Sequence, residues 1–304
     1  MSISKCFFLT VLGMTASCSI WAQEPTTEAP PAAPQITDNK TGKIVSVAEL
    51  VEAVKSCEVI FLGEQHDNDS GHAFQLEVLQ KLSEMGLDLV LSTEQFERDV
   101  QGPLNDYLAD RITEEQFLAA SRPWKNYPEH YRAMVEFAKQ KKMPVLAANL
   151  PRALAANLSN KQPLRAHEQV FAARSSTAPE DRYWLNFLDS MKGHVGVDGT
   201  DQLKSFYVSQ CAKDDAMAEA TTDFLAVNRH RPKTVVHLCG HFHSDYGLGT
   251  AGRVLQRNPL ARLAIVTMEI TPKNGKLKTD TMYDRAHFTL WTIENAAKPE
   301  AAAK

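Results

Sequence analysis

Short apolar runs alternate with stretches of helical periodicity along most of the chain. "VIFL" (59–62), "LDLVLS" (87–92), "MPVLAA" (143–148), "TVVHLC" (234–239) and "RLAIVTMEI" (262–270) have the length and residue types of buried strands. Ser46 and Glu49 form a capping-box pattern ahead of "VAELVEAVKSC", and Phe74, Val78, Leu82 and Met85 recur at helical spacing over about residues 70–85. Helical material then fills the interval from the second strand to about residue 142. Apolar strands separated by amphipathic helices predict an α/β fold, a parallel sheet flanked by helices. From Pro151 to about Arg231 the strand signal vanishes, and the longest helix is expected from roughly Asp201 to Asn228. The chain is therefore divided into an α/β domain over 41–150 and 232–291, with a smaller all-helical subdomain, 151–231, inserted in it.

The ends of the chain have a different pattern. Lys5 precedes an apolar stretch, Cys6–Ala22, that is too short to span a membrane, so residues 1–22 are read as a signal peptide. "SIWAQ" permits cleavage after Ala22, whereas "MTASC" resembles a relaxed lipobox that would lipidate Cys18; both readings stand. Residues 23–40, rich in Pro, Ala, Thr and Glu, are expected to be a tether, and 292–304 a flexible tail. The expected location is the periplasm or outer membrane, with a lipid anchor as the only membrane attachment. Cys57, Cys211 and Cys239 remain after the leader, an odd number that argues against a disulfide framework and leaves one bridge, such as Cys57 with Cys211, open.

With 304 residues, 43% of them hydrophobic, the chain has enough material for one full core. A formal charge of −4 and the lack of a basic stripe exclude nucleic acid as the main partner.

Candidate chemistry collects after the strands. The first ends in Glu64 and His66, the second in Glu94 and Arg98, the third in Asn149 and Arg152, and the fourth in His241, His243 and Asp245. In an open parallel sheet these ends share one edge, where ligands bind. Glu64 and His66, like His241 and His243, are two residues apart and would point to one side of extended chain. Imidazoles and carboxylates in this combination suit zinc, manganese or iron, so Glu64, His66, Glu94, His241 and His243 are candidate metal ligands. In a metal-dependent hydrolase Glu64 or Glu94 would be the general base and Arg98 or Arg152 would stabilise an oxyanion. The arginines could instead clamp a small anionic ligand with no chemistry.

Three other features bear on the site. Gln210 and Asp214 lie on or beside the apolar stripe of the long helix, and a core-facing Asp needs a partner. That partner is either a structural one, such as another helix or Arg152, or a member of the site. His237, inside a strand, is expected to be a core histidine. Trp124, Tyr127 and Tyr131 suit either a pocket wall or an anchor against the sheet.

Taken together, "FLGEQHDN", "EQFERDVQ", "RPWKNYPEHYRAMVEFAKQKKMPVLAANLPR", "SQCAKDDAMA" and "GHFHSDYGLGT" resemble the ChaN-like haem-binding uptake family of the Tiki/TraB/erythromycin-esterase-like superfamily, over about residues 43–272. The resemblance implies an α/β fold with a helical subdomain, export as a lipoprotein, haem as ligand, a possible homodimer with haem between subunits, and a haem-uptake receptor or transporter as partner. It also implies a superfamily site at Glu64, His66, Glu94, Arg98 or Arg152, His241 and His243, built on two Gly-x-x-His motifs, Gly63–His66 and Gly240–His243. Haem ligation in the family is by tyrosine without an alignable motif; Tyr246, Tyr183, His194 and Tyr207 are the candidates here.

Overall fold

The computed structural model describes residues 33–192 and 200–295. The expected signal peptide, Cys18 and His194 lie outside the described residues. In chain order the elements are β1 (Gln35–Asp38), β2 (Lys43–Val45), α1 (Val47–Val54), β3 (Val59–Glu64), α2 (Asp69–Glu84), β4 (Leu89–Glu97), α3 (Gln101–Leu108), α4 (Glu114–Ser121), α5 (Arg132–Gln140) and β5 (Val145–Asn149). There follow α6 (Arg152–Ser159), α7 (Arg182–Ser190), α8 (Thr200–Val227), β6 (Thr234–Gly240), α9 (Gly249–Arg257), β7 (Leu263–Ile270) and β8 (Phe288–Thr292). One eight-stranded sheet runs β2-β1-β8-β7-β3-β6-β4-β5.

The six strands from β8 to β5 are parallel, as the alternating pattern predicts, while β1 and β2 add an antiparallel edge. Side chains of a strand alternate between faces, so Ile60 and Leu62 pack under α1–α5 with Leu91, Val236 and Leu238. Val59, Phe61, Val90 and Val235 face the other way, against Ala218 of α8 and Ala251 and Val254 of α9. Among its described residues, segment 151–231 carries α6, α7 and α8 and no strand. It is not an appendage, because α8 supplies much of the sheet's second layer.

Two boundaries need correction. The tether expected over 23–40 ends early, because Gln35–Asp38 is a strand paired with β8 and Asn39 is buried. The Asn39 amide donates to the Ala286 carbonyl and to Thr289 Oγ1, both at 2.9 Å. Trp291 Nε1 donates to Thr37 Oγ1 at 2.9 Å, a contact that ties β8 to the same edge. Nor does the expected tail begin at residue 292: Thr292 is the buried end of β8, and Asn295 Oδ1 accepts the Asp69 N–H at the start of α2. Cys57, Cys211 and Cys239 are all free thiols.

If the β1 edge is part of the fold, Asn39→Ala should lower unfolding stability by about 1–3 kcal/mol, since it leaves buried polar partners unsatisfied. Urea denaturation reads this directly; an unchanged midpoint would return residues 35–40 to the tether.

Candidate functional site at the carboxyl edge of the sheet

Strand parity sorts the acidic groups between the two faces. Glu64 ends β3 on the α1–α5 side, opposite Gly240 of β6 in the parallel register. Its side chain is fully enclosed and every approach to it is used. Tyr131 Oη donates to Oε1 at 2.6 Å, the Gln95 amide donates to the same oxygen at 3.1 Å, and the Gln75 amide donates to Oε2 at 2.7 Å. His66 Nδ1 lies 2.9 Å from Oε1. Burial alone would raise the Glu64 pKa, but the His66 hydrogen bond, the His72 charge and the Tyr131 hydroxyl hold it below the usual carboxylate value.

Glu94 lies inside β4, since that strand continues to Glu97 rather than stopping at Ser92. Gln95 shares a face with Glu64, so the neighbouring Glu94 faces α8. Its Oε2 accepts the Gly240 N–H at 2.8 Å, and Oε1 is 3.5 Å from His243 Nε2. His243 Nδ1 in turn lies 2.7 Å from Asp214 Oδ1, and Asp214 also accepts Tyr183 Oη at 2.7 Å and Thr250 Oγ1 at 2.8 Å. The anomalous Asp of the long helix therefore orients His243, and the Gln210 amide lies 3.3 Å from the Tyr183 hydroxyl and within 3.3 Å of the His243 ring. Burial would push the His243 pKa down, but the Glu94 and Asp214 charges raise it to about 10. Glu94 and Asp214 are both held below the usual carboxylate range, against their burial, chiefly by the His243 charge.

His66 stands at the mouth of this cluster, with its side chain 42% exposed. Trp124 meets its ring edge-on at 4.8 Å. The two motif glycines make these approaches possible. A Cβ on Gly240 would sit 3.0 Å from His66 Cε1, and one on Gly63 would sit 2.9 Å from the His241 Cα. Burial lowers the His66 pKa less than the Glu64 hydrogen bond and the Glu94 charge raise it. With Nδ1 turned to Glu64, Nε2 is left as the nitrogen available to a proton donor or acceptor.

The structure thus joins Glu64, His66, Glu94 and His243, and it separates the remaining candidates. His241 and His243 lie in a 3₁₀ turn, not in extended chain, so their side chains diverge. His241 Nδ1 is 2.8 Å from Asp245 Oδ2. Arg98 is turned to the Ala172 carbonyl and Glu219 of α8, at 3.3 and 3.4 Å. Arg152 is exposed, and its backbone N–H donates to Glu97 Oε1. Arg98 is therefore engaged with α8 and the Ala172 carbonyl, while Arg152 is bonded to the end of β4 through its backbone. Among the described residues, no group of three or more His, Cys, Asp or Glu side chains is disposed to hold a metal ion. The five expected ligands fail as a set because Glu64 is saturated by donors and His241 faces elsewhere.

Of the tyrosine candidates, Tyr183 and Tyr207 are buried, the first bonded to Asp214 and the second donating to the Pro179 carbonyl at 2.8 Å. Tyr246 is half-buried with φ of 61° and ψ of 16°, a left-handed conformation uncommon for a bulky residue. Gln75 and Gln95 were not legible as site residues. Tyr131, expected as either a pocket wall or an anchor against the sheet, has its hydroxyl brought to Glu64 by the π-helical turn at Tyr127–Tyr131. His237 is a core histidine, as expected: Nδ1 pairs with Ser92 Oγ at 2.8 Å, and burial lowers its pKa to about 4.

The His243 network makes a pH prediction. A histidine pKa raised on folding contributes stability that is fully present below about pH 6.5 and is lost as pH rises towards about 10. Glu94 and Asp214, depressed on folding, contribute stability above their ordinary values that is lost in acid. The urea midpoint should therefore fall between pH 7 and pH 9.5, and less steeply in His243→Asn, whose removal of one partner from buried charges should itself cost about 3–5 kcal/mol. Equal slopes for the two proteins would show that His243 is neutral when folded.

Comparison with known proteins shows what the chain is similar to. A structure described as cofacial haem binding to ChaN of Campylobacter jejuni is similar at 19% identity and a TM-score of 0.65, over 86% of this chain and 98% of that one. The type III effector HopBA1 is similar at 13% identity and a TM-score of 0.49, over 89% and 99% of the two chains. An erythromycin esterase, EreC, in its open conformation gives 11%, 0.45, and 88% and 84%. A search of curated proteins finds no match. The family model described as haem-binding uptake, Tiki superfamily, ChaN matches residues 50–254. The chain belongs to that family.

Proposed function

We propose that this protein is an exported haem-binding protein of an iron-uptake system, with haem as its cargo. Membership of the ChaN family is the observation that carries this reading. Export through residues 1–22 to the periplasm or outer membrane, anchoring at Cys18, pairing of two copies about haem, and transfer of haem to an uptake receptor or transporter are parts of the same proposal.

The residues present suit such a ligand. A cavity of about 490 Å³ beside Tyr246 is walled by Leu255, Ala261, Leu263 and Ile265, with Lys40 and Arg285 also in its lining. That volume lies in the range of small-molecule sites, and an apolar wall with cations matches a flat apolar ring that carries carboxylates. Leu255, Leu263 and Ile265 would meet the ring, and Lys40 a carboxylate.

One observation favours a second activity. Glu64 holds His66 by Nδ1 and leaves Nε2 at an exposed mouth, which is the geometry of a general base that activates water. The hydrolase reading survives in that form, without the metal ligand set first expected. It concerns a different part of the molecule from the cavity at Tyr246, so the two readings are compatible.

Both are tested on the purified protein in one series. Haemin titration should give a Soret shift that saturates at a fixed haem-to-protein ratio and persists in His66→Ala; no shift in the wild type would end the haem reading. Hydrolysis of a nitrophenyl ester in the presence of chelator, lost in both His66→Ala and Glu64→Gln, would support the second reading, and activity equal in wild type and variants would remove it. Fractionation of expressing cells tests the anchor, since Cys18→Ala should move the protein out of the membrane fraction.

A further inference from the structure

His66 carries the exposed nitrogen of the Glu64 pair, yet it does not belong to β3. It falls on the turn between Glu64, which ends β3, and Asp69, which begins α2. Its bond to Glu64, at 2.9 Å, grips the ring on one side only, and 42% of the side chain is exposed. The ring keeps that orientation only if the turn beneath it is held. Turn residues carry backbone groups that neither strand nor helix pairs, so the partners of those groups set the position of the turn.

Two asparagines distant in sequence supply the partners. The Asn126 amide donates to the His66 carbonyl at 2.7 Å and to Asp67 Oδ1 at 2.9 Å. Asn126 belongs to the same stretch as Trp124, which meets the His66 ring edge-on, so one segment both walls the imidazole and holds its backbone. His72 Nε2 donates to the same carbonyl at 3.1 Å. On the other side of the turn, Asn295 Nδ2 donates to the Asp67 carbonyl, and its Oδ1 accepts the Asp69 N–H at 3.0 Å. That single side-chain amide bonds the turn as the peptide group of an adjoining strand would.

The Asn295 contact is one of a set. Asn68 Nδ2 donates to the Ile293 carbonyl at 3.0 Å, and the Ile293 N–H donates to Ser70 Oγ at 3.3 Å. Asn68 Oδ1 meanwhile caps α2 by accepting the Gly71 N–H at 2.7 Å. Residues 293–295 therefore cross the turn as a strap bonded at Asp67, Asn68, Asp69 and Ser70. Their origin is fixed, because they continue β8 from the buried Trp291 and Thr292. Ile293 is 36% exposed, so the strap adds little to the core; its bonds go to the turn that carries His66.

We propose that residues 293–295 are a strap that positions His66, with Asn295 and Asn126 as the positioning residues on the two sides of its turn. The proposal rests on the general-base reading of His66 in the previous section, and it adds the device that keeps Nδ1 on Glu64 and Nε2 at the mouth. A base acts only when the groups around it lock its geometry. Released from the strap, the ring would leave Glu64 and exchange tautomers, and Nε2 would no longer be the constant acceptor.

The test is the imidazole nitrogen NMR spectrum of the full chain at alkaline pH, with the His66 signals assigned by their absence from His66→Gln. In the wild type two well-separated shifts are expected, for a protonated Nδ1 and an unprotonated Nε2. Asn295→Ala should draw them towards the average of a freely exchanging ring, and Asn126→Ala should do so from the other side. Asn295→Asp should behave as the alanine variant does, since it keeps the acceptor for the Asp69 N–H and loses the donor to the Asp67 carbonyl. Turnover of the nitrophenyl ester should fall about 10-fold in kcat with KM unchanged in Asn295→Ala. Wild-type separation of the shifts in Asn295→Ala, whatever its urea midpoint, would overturn the strap by making Asn295 merely structural, and averaged shifts in the wild type would overturn it as well. Absence of ester hydrolysis by the wild type would instead reject the general-base reading and leave the tautomer result standing, so the two failures are distinct.

Discussion

Two carboxylates buried around one imidazolium set the constraints on this structure. Glu94 on β4 and Asp214 on α8 are both enclosed, and His243, at the end of β6, lies between them. Removing such charges from water costs several kcal/mol each, so the arrangement holds only if every partner is in place. The requirement fixes the distance between the sheet edge and α8, and with it the second layer of the fold. Thr250 and Tyr183, which complete Asp214, extend the same constraint to α9 and α7. The network can therefore be read as the clamp that joins the helical segment to the sheet.

The same saturation shapes the chemistry. Glu64 spends its oxygens on Tyr131, Gln95, Gln75 and His66, and Glu94 spends one on the Gly240 N–H. A cluster that resembles a metal site in composition is in geometry a set of acid–base pairs with one exposed nitrogen, on His66. The cleft at Tyr246 differs in kind, with Leu255, Leu263 and Ile265 on one wall and Lys40 and Arg285 also in its lining.

Much of this was legible in the sequence, because the parallel strands carry apolar residues on both faces and the Gly-x-x-His motifs follow two of them. Period-two alternation even accounts for Glu94 and Gln95 serving opposite faces. What escaped had physical reasons. β4 runs on through Thr93–Glu97 because its polar residues are satisfied inside the protein, whereas sequence pattern reads polarity as the end of a strand. β1 is four residues long beside a Pro-rich stretch, and its place depends on Asn39, Thr37 and Trp291, partners some 250 positions apart. The divergence of His241 from His243 depends on a 3₁₀ turn that a two-residue spacing cannot reveal. Arg98 was drawn to Glu219, a partner on a helix whose packing the sequence does not specify.

The account therefore separates two centres: a charge network built on His243 with His66 at its mouth, and the cleft at Tyr246 and Arg285 that is proposed for haem. The most direct test is the position of iron in crystals of the haem-loaded protein, located by anomalous scattering at the iron edge. The account predicts an iron peak in the Tyr246 cleft. A peak among Glu64, His66 and Glu94 would contradict it.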